Sequence, residues 1–123
     1  MIPSRAKANR YQGSTPWHAD SAFPVPSLGF AAYLEPLHAG NGALRVLPGS
    51  HRPEMTAALR ALGAEGAPAD TLPAHVVSTE PGDVIVFEEH LFHASAGGEA
   101  RRQWRLDYLP DPQGPEAEAH TRA

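Results

Sequence analysis

Glycine and proline break this chain so often that it can hold only short elements. Eleven glycines and thirteen prolines occur in 123 residues, about a fifth of the chain against a background nearer an eighth. Long helices do not survive that punctuation, whereas short strands joined by turns suit it. At this length one core is expected and two ordinary domains are not. The reading is therefore one domain over residues 1–110 and a polar, disordered tail over 111–123.

The chain has no cysteine, which removes disulfides, thiolate metal sites and a cysteine nucleophile. Any metal must be held by carboxylates and by some of the seven histidines. The formal charge is -4, and the ten lysines and arginines form no broad basic tract, so no nucleic-acid partner is expected. No run approaches the roughly 20 apolar residues that span a bilayer, and the N-terminus lacks the apolar stretch of a signal peptide. The expectation is a cytoplasmic protein without a membrane partner.

Along the chain, polar and partly basic residues lead to turn-forming residues from Tyr11 to Pro16, and then to Trp17-His18-Ala19-Asp20. Leu28 to Leu37 is apolar without helical periodicity and reads as a buried strand. Ala39-Gly40-Asn41-Gly42 is a hairpin signal that would pair it with the next strand, Ala43 to Leu47. Pro53 suits a first helical position, and Met55, Ala58, Leu59 and Leu62 share one face before Gly63 ends the helix. Residues 63–73 read as a surface loop. His75 to Ser78 and Val84 to Phe87 read as strands, the second running on towards His93. In the last strand, Arg101 to Leu109, Trp104, Leu106 and Tyr108 alternate with Gln103, Arg105 and Asp107. Trp104 and Tyr108 are assigned to the core with Trp17 and Phe87. About seven strands and one inserted helix suit an all-β sandwich or jelly roll.

His18 and Asp20, two apart on a strand, would face one ion with Cα atoms roughly 7 Å apart. A third ligand must come from elsewhere. His93 is preferred over His90 because small residues, Ala94 to Gly98, follow it and leave room for a substrate. Two imidazoles and one carboxylate suit a non-haem iron(II) centre with three open positions, although zinc could take the same ligands. A 2-oxo acid bound there would need a guanidinium for its distal carboxylate. Arg101, Arg102 and Arg105 all follow His93.

Four segments resemble the successive signature blocks of phytanoyl-CoA dioxygenases, in the family's order. They are Thr15 to Asp20, Asn41 to Arg52, Pro81 to Phe87, and His93-Ala94-Ser95, and the likeness spans roughly residues 9 to 110. The resemblance implies a double-stranded β-helix, a cupin-like jelly roll, with iron(II) held by His18, Asp20 and His93. It implies 2-oxoglutarate as cosubstrate, anchored by Arg101, with Arg102 or Arg105 as replacements. The implied reaction is hydroxylation of a small organic molecule by O2, releasing succinate and carbon dioxide. Asp20 stands where related halogenases have a small residue, which favours hydroxylation; desaturation and ring closure use the same ligands.

The sequence departs from the family in three ways. Arg101 lies a few residues closer to the distal histidine than in many members. Ala31 stands where an aromatic often packs on the cosubstrate. Family members are also considerably longer, with N-terminal segments that wall the site. The competing reading is a non-catalytic or degenerate cupin-like metal-binding or interaction module, a fragment of a longer oxygenase. A metal-dependent hydrolase or isomerase is the third. A homo-oligomer would cover apolar surface left by a short barrel. Ser50 and His51 are expected to brace their turn, and Glu88 and Glu89 to be solvated carboxylates at the rim.

Overall fold

Strand β7 (His93–Leu109) is the spine of the molecule. The computed structural model describes residues 2–3, 7–21, 25–70, 72–111 and 113–122. Along one edge of β7 run β1 (Ile2–Pro3) and β2 (Lys7–His18), with Ile2 opposite Leu109 and His18 opposite His93. Along its other edge, the first residues pair with β4 (Leu44–Val46) and the later ones with β3 (Leu28–Tyr33). Strand β3 continues the sheet to β6 (Ile85–Glu88), and β4 continues it to β5 (His75–Val77). The result is two antiparallel sheets that share β2 and β7. This is the jelly roll expected from the sequence.

Several local expectations are corrected. The turn at 39–42 forms, with the His38 N–H donating to Asn41 Oδ1 at 2.7 Å and Ala43 N–H to the His38 carbonyl at 3.2 Å. It does not make a hairpin, because β3 and β4 pair with different stretches of β7 rather than with each other. The turn-like residues before Trp17 are part of β2, absorbed as register shifts between Tyr11 and Gly13, Gly13 and Thr15, and Thr15 and His18. Such irregularities re-aim a strand without ending it.

Helix α1 (Pro53–Ala64) begins with proline at its first turn and runs through Gly63 rather than stopping there. A Cβ at Gly63 would lie 3.1 Å from the Trp17 carbonyl oxygen, so the glycine serves close approach of helix to strand. Leu59 and Leu62 pack inward, while Met55 and Ala58 are exposed. The loop after α1 is no free surface segment. Ala67 and Ala69 are buried beside Trp17, Phe92 and Ala94, and the Trp17 N–H donates to the Ala67 carbonyl at 3.0 Å. A second cluster, Ala31, Tyr33, Leu37, Ala43 and Phe87, lies between the sheets.

The face of β7 turned inward is the polar one. Arg101 and Gln103 are buried, whereas Trp104 keeps 41% of its surface exposed. Cross-strand partners share a face, so Tyr33 opposite Gln103 and Ala31 opposite Arg105 look into the same interior. Trp104 and Tyr108 are therefore not interior residues; the Tyr108 ring instead meets Phe30 edge-on at 5.3 Å on the outer face. The tail expected to be disordered carries a short helix, α2 (Pro115–Arg122). Gly114 at φ 93° precedes it, and Glu116 and Glu118 in the first turn favour the helix N-terminus. Among the described residues, no helix is long and apolar enough to cross a membrane.

Candidate metal centre

The cross-strand register brings His18 and His93 together. As direct partners at one end of the β2–β7 ladder, their rings lie 4.3 Å apart, centroid to centroid. Asp20 joins them by another route than the expected strand alternation, because β2 ends at His18. The N–H groups of Asp20 and Ser21 both donate to the Glu89 carbonyl, at 3.0 and 3.1 Å, and this bend turns the Asp20 carboxylate back. Asp20 Oδ1 then lies 3.3 Å from His18 Nε2 and 3.5 Å from His93 Nε2. One donor atom from each residue falls within 4.8 Å of the others, a group able to hold a metal ion.

Backbone carbonyls orient both imidazoles. His18 Nδ1 donates to the Pro16 carbonyl and His93 Nδ1 to the Leu91 carbonyl, each at 2.8 Å. A carbonyl only accepts, so each Nδ1 carries hydrogen and each Nε2 is aimed at the shared gap. The hydrogen bond that His18 donates to Asp20 raises the imidazole above its ordinary pKa, against the opposing effect of burial. Burial alone would raise Asp20, but hydrogen bonds from His18 and His93 and the charges of His93 and Arg105 hold it well below the usual carboxylate range. The Asp20 side chain keeps 17% of its surface, although the residue's backbone is at the surface.

Ser50, expected to brace its own turn, reaches the approach to His93 instead. Its buried Oγ accepts the Phe92 N–H at 2.8 Å, and the Leu47 N–H donates to the Phe92 carbonyl at 3.0 Å, fixing the backbone just before His93. His51 is exposed. Ser50→Ala should strand the Phe92 N–H without a partner and cost about 1–3 kcal/mol. Urea unfolding would register the loss as a lower midpoint with an unchanged slope.

Beside the three residues lies a cavity of about 140 Å³, lined by Thr15, Ala31, Tyr33, Leu44, Ser95, Arg101, Gln103 and Arg105 among others. Arg101, 3% exposed, donates from Nη1 to the Gly42 carbonyl and from Nη2 to Ser95 Oγ at 2.8 Å and Thr15 Oγ1 at 3.4 Å. Gly42, at φ 104°, is required here, since a Cβ would lie 2.8 Å from Arg101 Nη1 and 2.9 Å from Gly98 Cα. Arg102 is not brought to the cavity. Its side chain is 63% exposed on the opposite face of β7 and pairs with Glu35 at 2.6 Å. Arg105 lines the cavity but is engaged by Asp20, Glu89 and Asp107.

Glu89 is the functional-site residue that sequence reasoning misplaced. It is 6% exposed, not solvated at the rim, and its backbone carbonyl positions Asp20. Burial and the neighbouring Asp107 charge push its carboxyl up to about 7. Glu88 instead accepts from His90 Nδ1 at 2.5 Å, and His90 is not one of the three converging groups. On the other side of His18, a cleft of about 240 Å³ runs under α1, lined by Thr56, Leu59, Arg60, His90 and Phe92 among others.

The chain is similar to several solved structures. AviO1 from Streptomyces viridochromogenes Tue57 is 26% identical with a TM-score of 0.71, over 93% of this chain and 53% of that one. EctD from S. alaskensis, solved with 2-oxoglutarate and 5-hydroxyectoine, is 25% identical with a TM-score of 0.59, over 90% and 47%. EvdMO1, at 24% identity and a TM-score of 0.70, shares the fold over 89% of this chain and 27% of its own. The chain thus spans about half or less of these proteins. No curated protein matches it in sequence. The family model for phytanoyl-CoA dioxygenase matches residues 2–103, which takes in β1 through most of β7, all three converging residues and Arg101, and the chain belongs to that family.

Proposed function

We propose that this protein is an iron(II)- and 2-oxoglutarate-dependent oxygenase that hydroxylates a small organic molecule. The observation that carries the reading is the convergence of His18, Asp20 and His93 beside a cavity lined by the buried guanidinium of Arg101. Two imidazole nitrogens and one carboxylate oxygen, with other positions left open, form the donor set suited to non-haem iron(II). These three residues would hold the metal. EctD has been solved with 2-oxoglutarate, and Arg101 is the residue here that would receive that acid's distal carboxylate.

When bound, iron(II) and 2-oxoglutarate supply the oxidising chemistry, in which the oxo acid is decarboxylated to succinate and one oxygen atom of O2 enters a substrate C–H bond. The chain's own residues bind, orient and exclude water. Ser95 and Thr15 accept from Arg101 and keep their hydroxyl hydrogens for the same carboxylate. Gln103 Nε2 donates to the Tyr33 hydroxyl at 3.0 Å, which fixes the cavity wall. Ala31, Leu44 and Phe87 supply apolar surface that keeps the site dry. The cleft under α1 offers the substrate apolar contacts at Leu59 and Phe92 and polar ones at Thr56 and His90. Asp20 fills the carboxylate position, which supports hydroxylation over halide transfer.

The test is anaerobic addition of iron(II) and then 2-oxoglutarate, followed by visible absorption. The wild type should develop the weak charge-transfer band of the bound oxo acid, and His18→Ala should not. Iron binding without any band would sink the 2-oxoglutarate reading and leave a metal-binding module.

A further inference from the structure

Arg105 sits where three acidic side chains meet the metal centre. Its Nη2 donates to Asp20 Oδ2 at 2.5 Å and to Glu89 Oε2 at 3.2 Å, and its Nε donates to Asp107 Oδ1 at 2.9 Å. The guanidinium lies over the Phe87 ring, 5.2 Å from its centroid, and that ring meets His93 edge-on at 5.4 Å. Gly29 makes the room, since a Cβ there would lie 2.8 Å from Phe87 Cζ and 3.1 Å from Arg105 Nη2. Four neighbours thus hold one side chain in one pose. The two oxygens of Asp20 are consequently unlike: Oδ1 faces both imidazoles and Oδ2 faces Arg105.

We infer that Arg105 is a positioning residue that restricts Asp20 to coordination through Oδ1 alone, keeping a third position at the metal open. The inference rests on the function proposed above. A carboxylate free to rotate can chelate a metal through both oxygens, and the three residues would then occupy four of six octahedral positions. Only two would remain for an oxo acid that needs two and for oxygen that needs one. The charge-assisted bond from Arg105 to Oδ2 opposes that rotation, because chelation would have to break it. Such partners of metal ligands commonly change metal affinity or activity by 10- to 100-fold. Arg105 is thereby distinguished from Arg101: it acts through Asp20, whereas Arg101 would touch the oxo acid.

Cobalt(II) tests this without turnover, because its visible absorption reports coordination number. Wild type, Arg105→Gln and Arg105→Lys would be loaded with cobalt(II) and titrated with 2-oxoglutarate, with metal affinity and thermal midpoint measured in parallel. The expected result for Arg105→Gln is a changed cobalt spectrum before oxo acid is added and a 2-oxoglutarate affinity weakened at least about tenfold. Arg105→Lys should restore part of both. Should Arg105→Gln fail to fold with three acids left around it, the Glu89→Gln/Arg105→Gln pair removes one charge and gives the same reading. A spectrum and 2-oxoglutarate affinity within twofold of wild type would overturn the inference, as would losses that merely track a lower thermal midpoint with the spectrum unchanged. Failure of the wild type itself to bind cobalt(II) and 2-oxoglutarate would instead remove the proposed function.

Discussion

Arg101→Gln should weaken 2-oxoglutarate binding to the iron(II)-loaded protein by about 30-fold or more while leaving iron(II) bound. Truncating one partner of a buried charge pair costs roughly 2–5 kcal/mol, and each 1.4 kcal/mol is a factor of about ten. Arg101 is buried, and its partners Gly42, Ser95 and Thr15 define where the guanidinium plane lies. Lysine keeps the charge but not the planar fork, so Arg101→Lys should fall between. Arg102→Ala is the matched control. Its side chain faces solvent beside Glu35, and its loss should leave the titration within twofold. Isothermal titration with 2-oxoglutarate would decide, and equal losses for Arg101 and Arg102 would refute the placement.

Trp17→Ala should be the most damaging single change to stability, at about 3–5 kcal/mol out of the 5–15 kcal/mol typical of a domain. The ring is fully buried, stacks on Phe92 at 5.5 Å and 19°, and is packed among Ala67, Ala69 and Ala94. Among the described residues its Nε1–H has no hydrogen-bond partner, so no polar contact there is lost when the indole is replaced. Trp17→Phe should therefore cost much less than Trp17→Ala, a contrast that urea unfolding would show directly. Equal costs would mean that the site collapses around the vacancy. His18 is the next residue and Phe92 precedes His93, so Trp17→Ala should also loosen metal binding.

The grouping of His18, Asp20 and His93 beside a cavity that Arg101 lines was anticipated from residue type and from the resemblance of the surrounding segments to one family. Gly42 and Pro53 play the local parts their chemistry suggested. What was not legible was orientation. Alternation along Arg101 to Leu109 shows that two faces differ, yet the apolar face is conventionally assigned to the interior. Here the interior holds a cavity with buried polar side chains in its lining, and Gln103 and Arg105 point into it while Trp104 points out. Arg102 was a candidate as one of three arginines that follow His93; adjacent strand residues point to opposite faces, and its side chain lies outside the cavity. The hairpin assigned to residues 39–42 failed for a related reason, since a turn signal fixes a reversal of direction but not which strand the chain meets next. Burial of Glu89 depends on Arg105, sixteen residues away, and no local pattern carries such a pairing.

Strand β7 belongs to both sheets, with His93 at its start and Arg101 midway along it. A segment shared in this way cannot detach from one layer without disturbing the other, so the proposed metal ligand and the proposed cosubstrate anchor fall within one cooperative unfolding unit. Breathing motions that expose one half of the centre while sparing the other are thereby suppressed. Amide exchange along the strand would follow opening of the whole barrel, and the centre would be lost in a single event.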